Sequence, residues 1–471
     1  MTAELLAPHP PPALPQRLPR ALLARFDRPG PRYTSYPTAD RFVEGFDERI
    51  VTAAWSAPAG DVPVPLSIYV HIPFCESVCY YCACNKIVTR HHDRAARYLE
   101  ALAAEAGQIR AAMGSARAVS QLHLGGGTPT FLDDDALRAL VARLRTTFGF
   151  ADDIEMSIEI DPRTVSSERL AVLRRMGFNR ISFGLQDFDP AVQAAVHRIQ
   201  PLASVRTLMQ AARALRFDSI NADLIYGLPL QTRTSFARTV ASTIALRPDR
   251  IALYAYAHLP RRFKPQRRIA AQDLPDAVTR VDLLDQAISA FIDAGYEYIG
   301  MDHFALPTDS LARARHERRL QRDFQGYGTR PAGDLLALGV SAISRVGAIY
   351  YQNVKDLEQY YVAIAQHTLP VDRGVVLTRD DTVCGAAIMA LMCQGNLDFG
   401  AFGHTHAIDT RRYFERELAS LAPMVDAQLV EIGDDALRVT REGWFVVRAI
   451  AMAFDRYLQA AQDVNRFSRM V

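Results

Sequence analysis

Four of the six cysteines of this 471-residue chain fall within one short run, Cys75-Glu76-Ser77-Val78-Cys79-Tyr80-Tyr81-Cys82-Ala83-Cys84. A disulfide framework would spread its cysteines along the chain, so this clustering points to metal or redox chemistry. Thiolates are soft ligands suited to iron–sulfur sites, and Cys75, Cys79 and Cys82 can wrap three corners of a cubane cluster from one loop. A structural zinc site would want a fourth ligand, usually from a second pair. The remaining cysteines, Cys384 and Cys393, lie far away in a stretch with helical spacing. Three ligands leave one iron of a four-iron cluster open to chelation by a small molecule. Cys84 could in principle close that position, but with one residue between it and Cys82 joint ligation is strained, and a non-ligand role is expected.

The elements that must position this loop follow from periodicity. Apolar, β-branched runs at 66–72, 119–124, 154–160, 180–185, 220–225 and 250–255 read as buried strands. Segments of 3.6-residue periodicity at 93–113, 133–148, 167–176, 202–215 and 234–246 read as the helices between them. Six strand–helix units in succession imply a parallel sheet with right-handed crossovers. Six are too few for a closed eight-fold barrel, so an α/β fold with a partial (β/α)6 barrel is expected. Polar residues and glycines collect where strands end: the cysteine loop, Gly125–Thr128, Glu159 and Asp161, Gln186, Asp223, and Tyr256–His258. The carboxyl ends of parallel strands carry the chemistry in such folds. The same residue types also cap helices and satisfy cores, and a triple glycine also makes a plain strand-to-helix turn.

The remainder divides by composition. Residues 1–50 read as an amino-terminal arm, its start disordered because Pro10, Pro11, Pro12 and Pro15 forbid regular helix. The catalytic domain is expected over 51–360, with the barrel core at about 65–290. Residues 361–471 read as a small, mostly helical, winged-helix-like domain, with a hairpin at 429–432 and 437–440 around Gly433-Asp434-Asp435. A net charge of +2 and the lack of a basic recognition stripe argue against nucleic acid. No apolar run reaches membrane-spanning length, and the proline-rich start lacks a secretory signal's apolar stretch. A cytoplasmic location is expected.

The cysteine loop after a first strand, followed by Gly125-Gly126-Gly127-Thr128-Pro129, resembles the radical S-adenosylmethionine superfamily. A longer set of motifs is similar to the oxygen-independent coproporphyrinogen III oxidases. It includes Pro31-Arg32-Tyr33-Thr34-Ser35-Tyr36-Pro37-Thr38-Ala39, Tyr69-Val70-His71-Ile72-Pro73-Phe74-Cys75 and Phe183-Gly184-Leu185-Gln186-Asp187-Phe188. Asp223–Pro229, Gly300-Met301-Asp302-His303-Phe304, Phe324-Gln325-Gly326-Tyr327, Gly339–Ser344 and Phe467-Ser468-Arg469 complete it.

The resemblance implies oxidative decarboxylation of two propionates of coproporphyrinogen III to the vinyl groups of protoporphyrinogen IX. A 5′-deoxyadenosyl radical made from S-adenosylmethionine at a [4Fe-4S] cluster would abstract the hydrogen. It further implies two S-adenosylmethionine molecules. Tyr69, Gly126, Glu159 and Ile343 would hold the one on the cluster. Tyr81, Gly127, Thr128, Gln186, Arg198, Asp223 and Ala257 would hold the second. Tyr81 stands where the family usually has phenylalanine, leaving an aromatic face for adenine. A low-potential electron donor of flavodoxin type and a monomeric chain are expected. Basic residues near the mouth (Arg32, Lys86, Arg90, Arg261, Arg262, Lys264, Arg267 and Arg268) are candidates for the substrate's propionates. A haem-binding chaperone on the same fold is the alternative, although such relatives usually carry phenylalanine at the position of Cys84 and lack the Tyr33–Ala39 arm.

Overall fold

The computed structural model describes residues 25–26, 28–57, 65–114, 117–330 and 333–460. The start of the amino-terminal arm and the Phe467-Ser468-Arg469 motif lie outside the described residues. The chain forms two compact units, one of residues 39–290 and 331–379, the other of 1–38, 291–330 and 380–471.

In the first unit the apolar runs become six parallel strands in sequence order: β1 (Leu66–Ile72), β2 (Val119–Gly126), β3 (Phe150–Ile160), β4 (Arg180–Gln186), β5 (Ser219–Tyr226) and β6 (Arg250–Ala255). Their registers align the core residues, with Ile68 opposite Leu122, Leu122 opposite Met156, Ile158 opposite Ile181 and Ala222 opposite Ile251. The crossover helices are α1 (Arg94–Ala112), α2 (Asp134–Phe148), α3 (Ser167–Arg175), α4 (Leu202–Ala214) and α5 (Arg233–Leu246). Local chemistry sets where they begin. The Asp133 carboxylate accepts from the Ala136 amide to cap α2, and the Ser166 hydroxyl accepts from Arg169 to cap α3. Thr232 and Ser235 form a reciprocal capping box at α5. Leu137, Leu140, Val141, Leu144 and Phe148 then give α2 a buried stripe.

Two differences from the sequence reading have physical causes. β3 starts four residues before the expected 154, because the exposed pair Asp152 and Asp153 interrupts the apolar pattern without interrupting the backbone ladder. The sheet also continues on the far side of β1. There β7 (Asp334–Leu338) pairs parallel with β1, and β8 (Ile343–Val346), β9 (Ile349–Asn353) and β10 (Val371–Val376) follow antiparallel. Only one helix, Leu357–Ala365 between β9 and β10, interrupts these strands, so they lack the regular strand–helix alternation that made the first six legible.

In the other unit a helix over Arg379–Gln394 leads to a three-stranded antiparallel sheet with Ala436–Val439 in the middle. The expected hairpin is present, with Ile432 opposite Leu437, and Asn396–Asp398 supplies the third strand. No helix among the described residues is long and apolar enough to cross a membrane.

Candidate active site

Cys75 follows directly on β1, in a two-residue strand where Phe74 and Cys75 pair with Ile87 and Val88. That pairing pinches the base of the loop carrying Cys79 and Cys82. The glycine loop after β2 is strapped beneath it, since the Gly127 amide donates to Ile72 O at 2.8 Å and the Thr128 amide to Phe74 O at 2.9 Å. A side chain at Gly127 would meet the Pro73 carbonyl at 2.8 Å. Gly126 has φ +112° and lies 2.6 Å, measured from an added Cβ, from the His71 ring. Both glycines are therefore required by close approach.

A cavity of about 170 Å³ opens over this base. Cys75, Cys79, Cys82 and Cys84 line it, together with Tyr81, Gly126, Gly127, Thr128, Glu159, Gln186, Arg198 and Asp223. Polar donors approach two of the sulfurs: Thr128 Oγ1 lies 3.5 Å from Cys75 Sγ, and Arg163 and Arg198 each lie 3.5 Å from Cys79 Sγ. Among the described residues no three His, Cys, Asp or Glu side chains converge to hold a single metal ion. The thiols instead surround a volume, with cationic and hydroxyl donors behind them, a donor set that fits an anionic sulfur-ligated cluster.

Strand periodicity explains how so many polar groups share the cavity. Every second residue of a strand faces the same side, and the chain places His123 and Gly125 on β2, Ser157 and Glu159 on β3, Ser182, Gly184 and Gln186 on β4, and Asn221 and Asp223 on β5. Glu159 accepts from the Gly126 amide at 3.2 Å and pairs with His123 at 3.3 Å. Burial alone would raise its carboxyl, but His123 and that amide hold it below its ordinary value. Asp223 accepts from Ser182 and Asn221, both at 2.8 Å. Burial nevertheless pushes it up to about 6, and the Glu159 charge adds to the rise.

Arg198, 6% exposed, bonds Asp161 at 3.1 Å and the Gly184 carbonyl at 2.7 Å. Its buried Nε has no hydrogen-bond partner among the described residues. Arg163 also grips Asp161, at 2.7 Å. The Asp161 carboxyl, which burial would raise, is held down by these two guanidiniums.

Tyr69, Ala257 and Ile343 are not among the residues lining the cavity. The Tyr69 ring stacks on His123 with centroids 5.7 Å apart, and its hydroxyl donates to His71 Nδ1 at 3.1 Å. Ile343 opens β8. The Ala257 carbonyl and that of Tyr81 both accept from Gln266, at 3.2 and 3.0 Å. The Tyr81 side chain packs against an apolar cluster including Val192, Val196, Ile225 and Tyr256. Of the basic candidates, Lys86 lines the cavity and donates to Cys82 O at 3.2 Å, Arg268 lies over the Tyr80 ring, and Arg32 belongs to the other unit.

Sequence reasoning did not single out Arg163, His123, Ser182 or Gln266. The first three carry a usable signal, since each continues the two-residue polar alternation of a strand or the Asp-Pro-Arg turn after one. Gln266 lies in a short 3-10 turn (Lys264–Arg268) where nothing in the pattern marks it.

Comparison with known proteins agrees with this geometry. Residues 69–242 match the profile of the Radical SAM superfamily and residues 377–446 that of the HemN C-terminal domain. The fold and site thus define a radical S-adenosylmethionine protein. The chain is 46% identical to the oxygen-independent coproporphyrinogen III oxidase of Pseudomonas aeruginosa, over 96% of this chain and 98% of that protein. It is 45% identical to the one from Escherichia coli over the same shares. The crystal structure of coproporphyrinogen III oxidase (HemN) from Escherichia coli, described as a Radical SAM enzyme, superposes with a TM-score of 0.89 at 43% identity, covering 94% of this chain and all of that one. The chain belongs to the family of oxygen-independent coproporphyrinogen III oxidases.

Proposed function

We infer that this cavity is where coproporphyrinogen III loses two propionate carboxyl groups to give protoporphyrinogen IX, in haem biosynthesis. The observation that carries the reading is the convergence on one cavity of Cys75, Cys79 and Cys82 with Glu159, Gln186, Arg198 and Asp223. Bound there, a [4Fe-4S] cluster and S-adenosylmethionine would supply the radical chemistry that removes a hydrogen atom from the propionate β-carbon. Each vinyl group then requires loss of carbon dioxide and one electron, so the balance needs an electron acceptor and no oxygen.

The chain's own residues bind, orient and exclude water. Cys75, Cys79 and Cys82 are the cluster ligands, with Thr128, Arg163 and Arg198 tuning the sulfurs through their hydrogen bonds. Tyr69, Gly126, Glu159 and Ile343 hold the S-adenosylmethionine at the cluster. The ionised state of Glu159, supported by His123, suits it to accept bonds from an ammonium or ribose hydroxyl. Tyr81, Gly127, Thr128, Gln186, Arg198, Asp223 and Ala257 hold a second molecule. Support comes from the unpaired Nε of Arg198 and from Gln266, which ties Tyr81 to Ala257. Cys84 is exposed, which suits a non-ligand role.

An electron donor of flavodoxin type, a cytoplasmic location and a monomer complete the proposal. All six cysteines are free thiols. Residues 51–360 form the catalytic domain of this reading and residues 361–471 a separate carboxyl-terminal domain. The test is anaerobic reconstitution with iron, sulfide, reductant, S-adenosylmethionine and coproporphyrinogen III. Protoporphyrin after oxidation is expected, whereas deoxyadenosine without protoporphyrin would assign a different substrate.

A further inference from the structure

The unit containing residues 291–330 and 380–460 holds a cavity that the chemistry above does not use. It has a volume of about 810 Å³, within the range of about 300–1,000 Å³ typical of small-molecule sites. Arg315, on the helix Ser310–His316, stands in its wall and is only 5% exposed. Its guanidinium lies over the Trp444 ring, 5.3 Å from the centroid. Nε and Nη2 are buried and have no hydrogen-bond partner among the described residues. Glu297 contributes some attraction, but its carboxylate bonds His316 Nε2 at 2.7 Å. A buried arginine so placed is costly, and burial lowers its pKa to about 10. An anion in the cavity, beside the guanidinium in its wall, would offset that cost through its charge.

The rest of the wall sets the character of the anion's body. Arg318, Arg438 and Arg441 add positive charge, while Glu431 and Glu442 offset part of it. Glu431 sits directly opposite Arg438 on paired strands, so their charges largely cancel locally. Val425, Val430, Ile432, Val439 and Trp444 supply the apolar part of the wall, beside the neutral polar Gln394, Asn396, Gln428 and Thr440. The indole is held tight against the backbone: a Cβ on Gly395, at φ +61°, would lie 3.1 Å from it.

We propose that this cavity binds an amphipathic organic carboxylate, anchored on Arg315 with its apolar body against Trp444, Val430 and Ile432. The acid is the tetrapyrrole product of the chain's own reaction, whose two remaining propionates flank an apolar macrocycle. That identity rests on the functional reading above. The site is separate from the cysteine cavity, and none of its lining residues belongs to that machinery.

The test uses the anaerobic full-length holoprotein and counts bound equivalents of protoporphyrin IX by titration, with its dimethyl ester and inorganic phosphate as comparison probes. The wild-type chain is expected to take up one equivalent more than Arg315→Gln, and the ester to bind at least tenfold more weakly at that site. Val425→Trp, which fills the cavity mouth without touching the buried charge, is expected to lose the same equivalent. It decides the matter should the arginine variant not fold. Turnover of coproporphyrinogen III in both variants is expected to stay within about twofold of wild type. Equal stoichiometry in wild type and variants, or equal binding of the ester, would overturn the proposal. So would Arg315-dependent binding of phosphate without porphyrin, which would mark a simple anion site. Absent turnover in the wild type strikes the functional reading; normal turnover without the extra equivalent strikes this cavity alone.

Discussion

Glu159, near the end of β3, and Asp223, within β5, face one cavity and titrate in opposite directions. Glu159 is held below its ordinary value by His123 and the Gly126 amide, whereas burial lifts Asp223 to about 6. Burial penalises both. The difference lies in their partners: one has an imidazole and a glycine amide, the other only the neutral Ser182 hydroxyl and Asn221 amide. A strand end thus supplies position, and the neighbouring strands decide what a carboxylate placed there can do. Glu159, its carboxyl held below the ordinary value, suits a cationic or hydroxyl ligand. Asp223, half protonated near pH 6, gains charge when a cationic ligand arrives.

The comparison breaks most completely if the thiols that both carboxylates share are removed. Cys79→Ala is expected to abolish cluster iron and lower deoxyadenosine formation by about 1,000-fold or more, read by iron analysis and single-turnover product counts. Glu159→Gln comes next, with a loss of about 100-fold in deoxyadenosine formation at normal iron content. Asp223→Asn should separate the two sides, lowering protoporphyrin yield about tenfold while deoxyadenosine formation changes less. Arg163→Met is expected to cost a further tenfold or less in turnover and to shift the cluster's reduction potential, because it acts through Cys79 and Asp161.

The smallest effect is on stability. The folded pKa of Asp223 lies above its unfolded value, so its contribution is fully present below about pH 4 and is lost as pH rises through about 6. Asp223→Asn should flatten the wild-type stability slope across that window by on the order of 1 kcal/mol, measured by denaturant titration at several pH values. Glu159→Gln should act in the reverse sense, removing stability present at neutral pH and lost in acid.

Much of this arrangement was legible in the residues. The six parallel strands and five crossover helices announce themselves by apolar period and by caps such as Asp133 and Thr232, because each is a local consequence of sequence. Strands β7 to β10 were not, since their pairing partners are distant or antiparallel and only the helix Leu357–Ala365, between β9 and β10, separates any of them. The cysteine loop was legible because Cys75, Cys79 and Cys82 lie close together in one run. Gln266 was not, because its importance comes from what it touches after folding, the Tyr81 and Ala257 carbonyls; Arg163 is marked by the Asp-Pro-Arg turn, but its contacts with Cys79 and Asp161 are not. The Gly300–Phe304 motif shows the same limit. Its Met301 and Asp302 take left-handed φ values of 46° and 63° in the unit that does not contain Cys75, Cys79 and Cys82, and burial lifts Asp302 to about 6 against the pull of Arg32 and Arg448.

The central claim is that Cys75, Cys79 and Cys82 hold one cluster with an iron open to S-adenosylmethionine, beside the carboxylates compared above. Electron paramagnetic resonance of the anaerobically reduced holoprotein, recorded with and without S-adenosylmethionine, tests it most directly. The account predicts a four-iron signal that changes on adding S-adenosylmethionine and is absent in Cys79→Ala. A signal indifferent to S-adenosylmethionine, or one that survives loss of Cys79 unchanged, would contradict it.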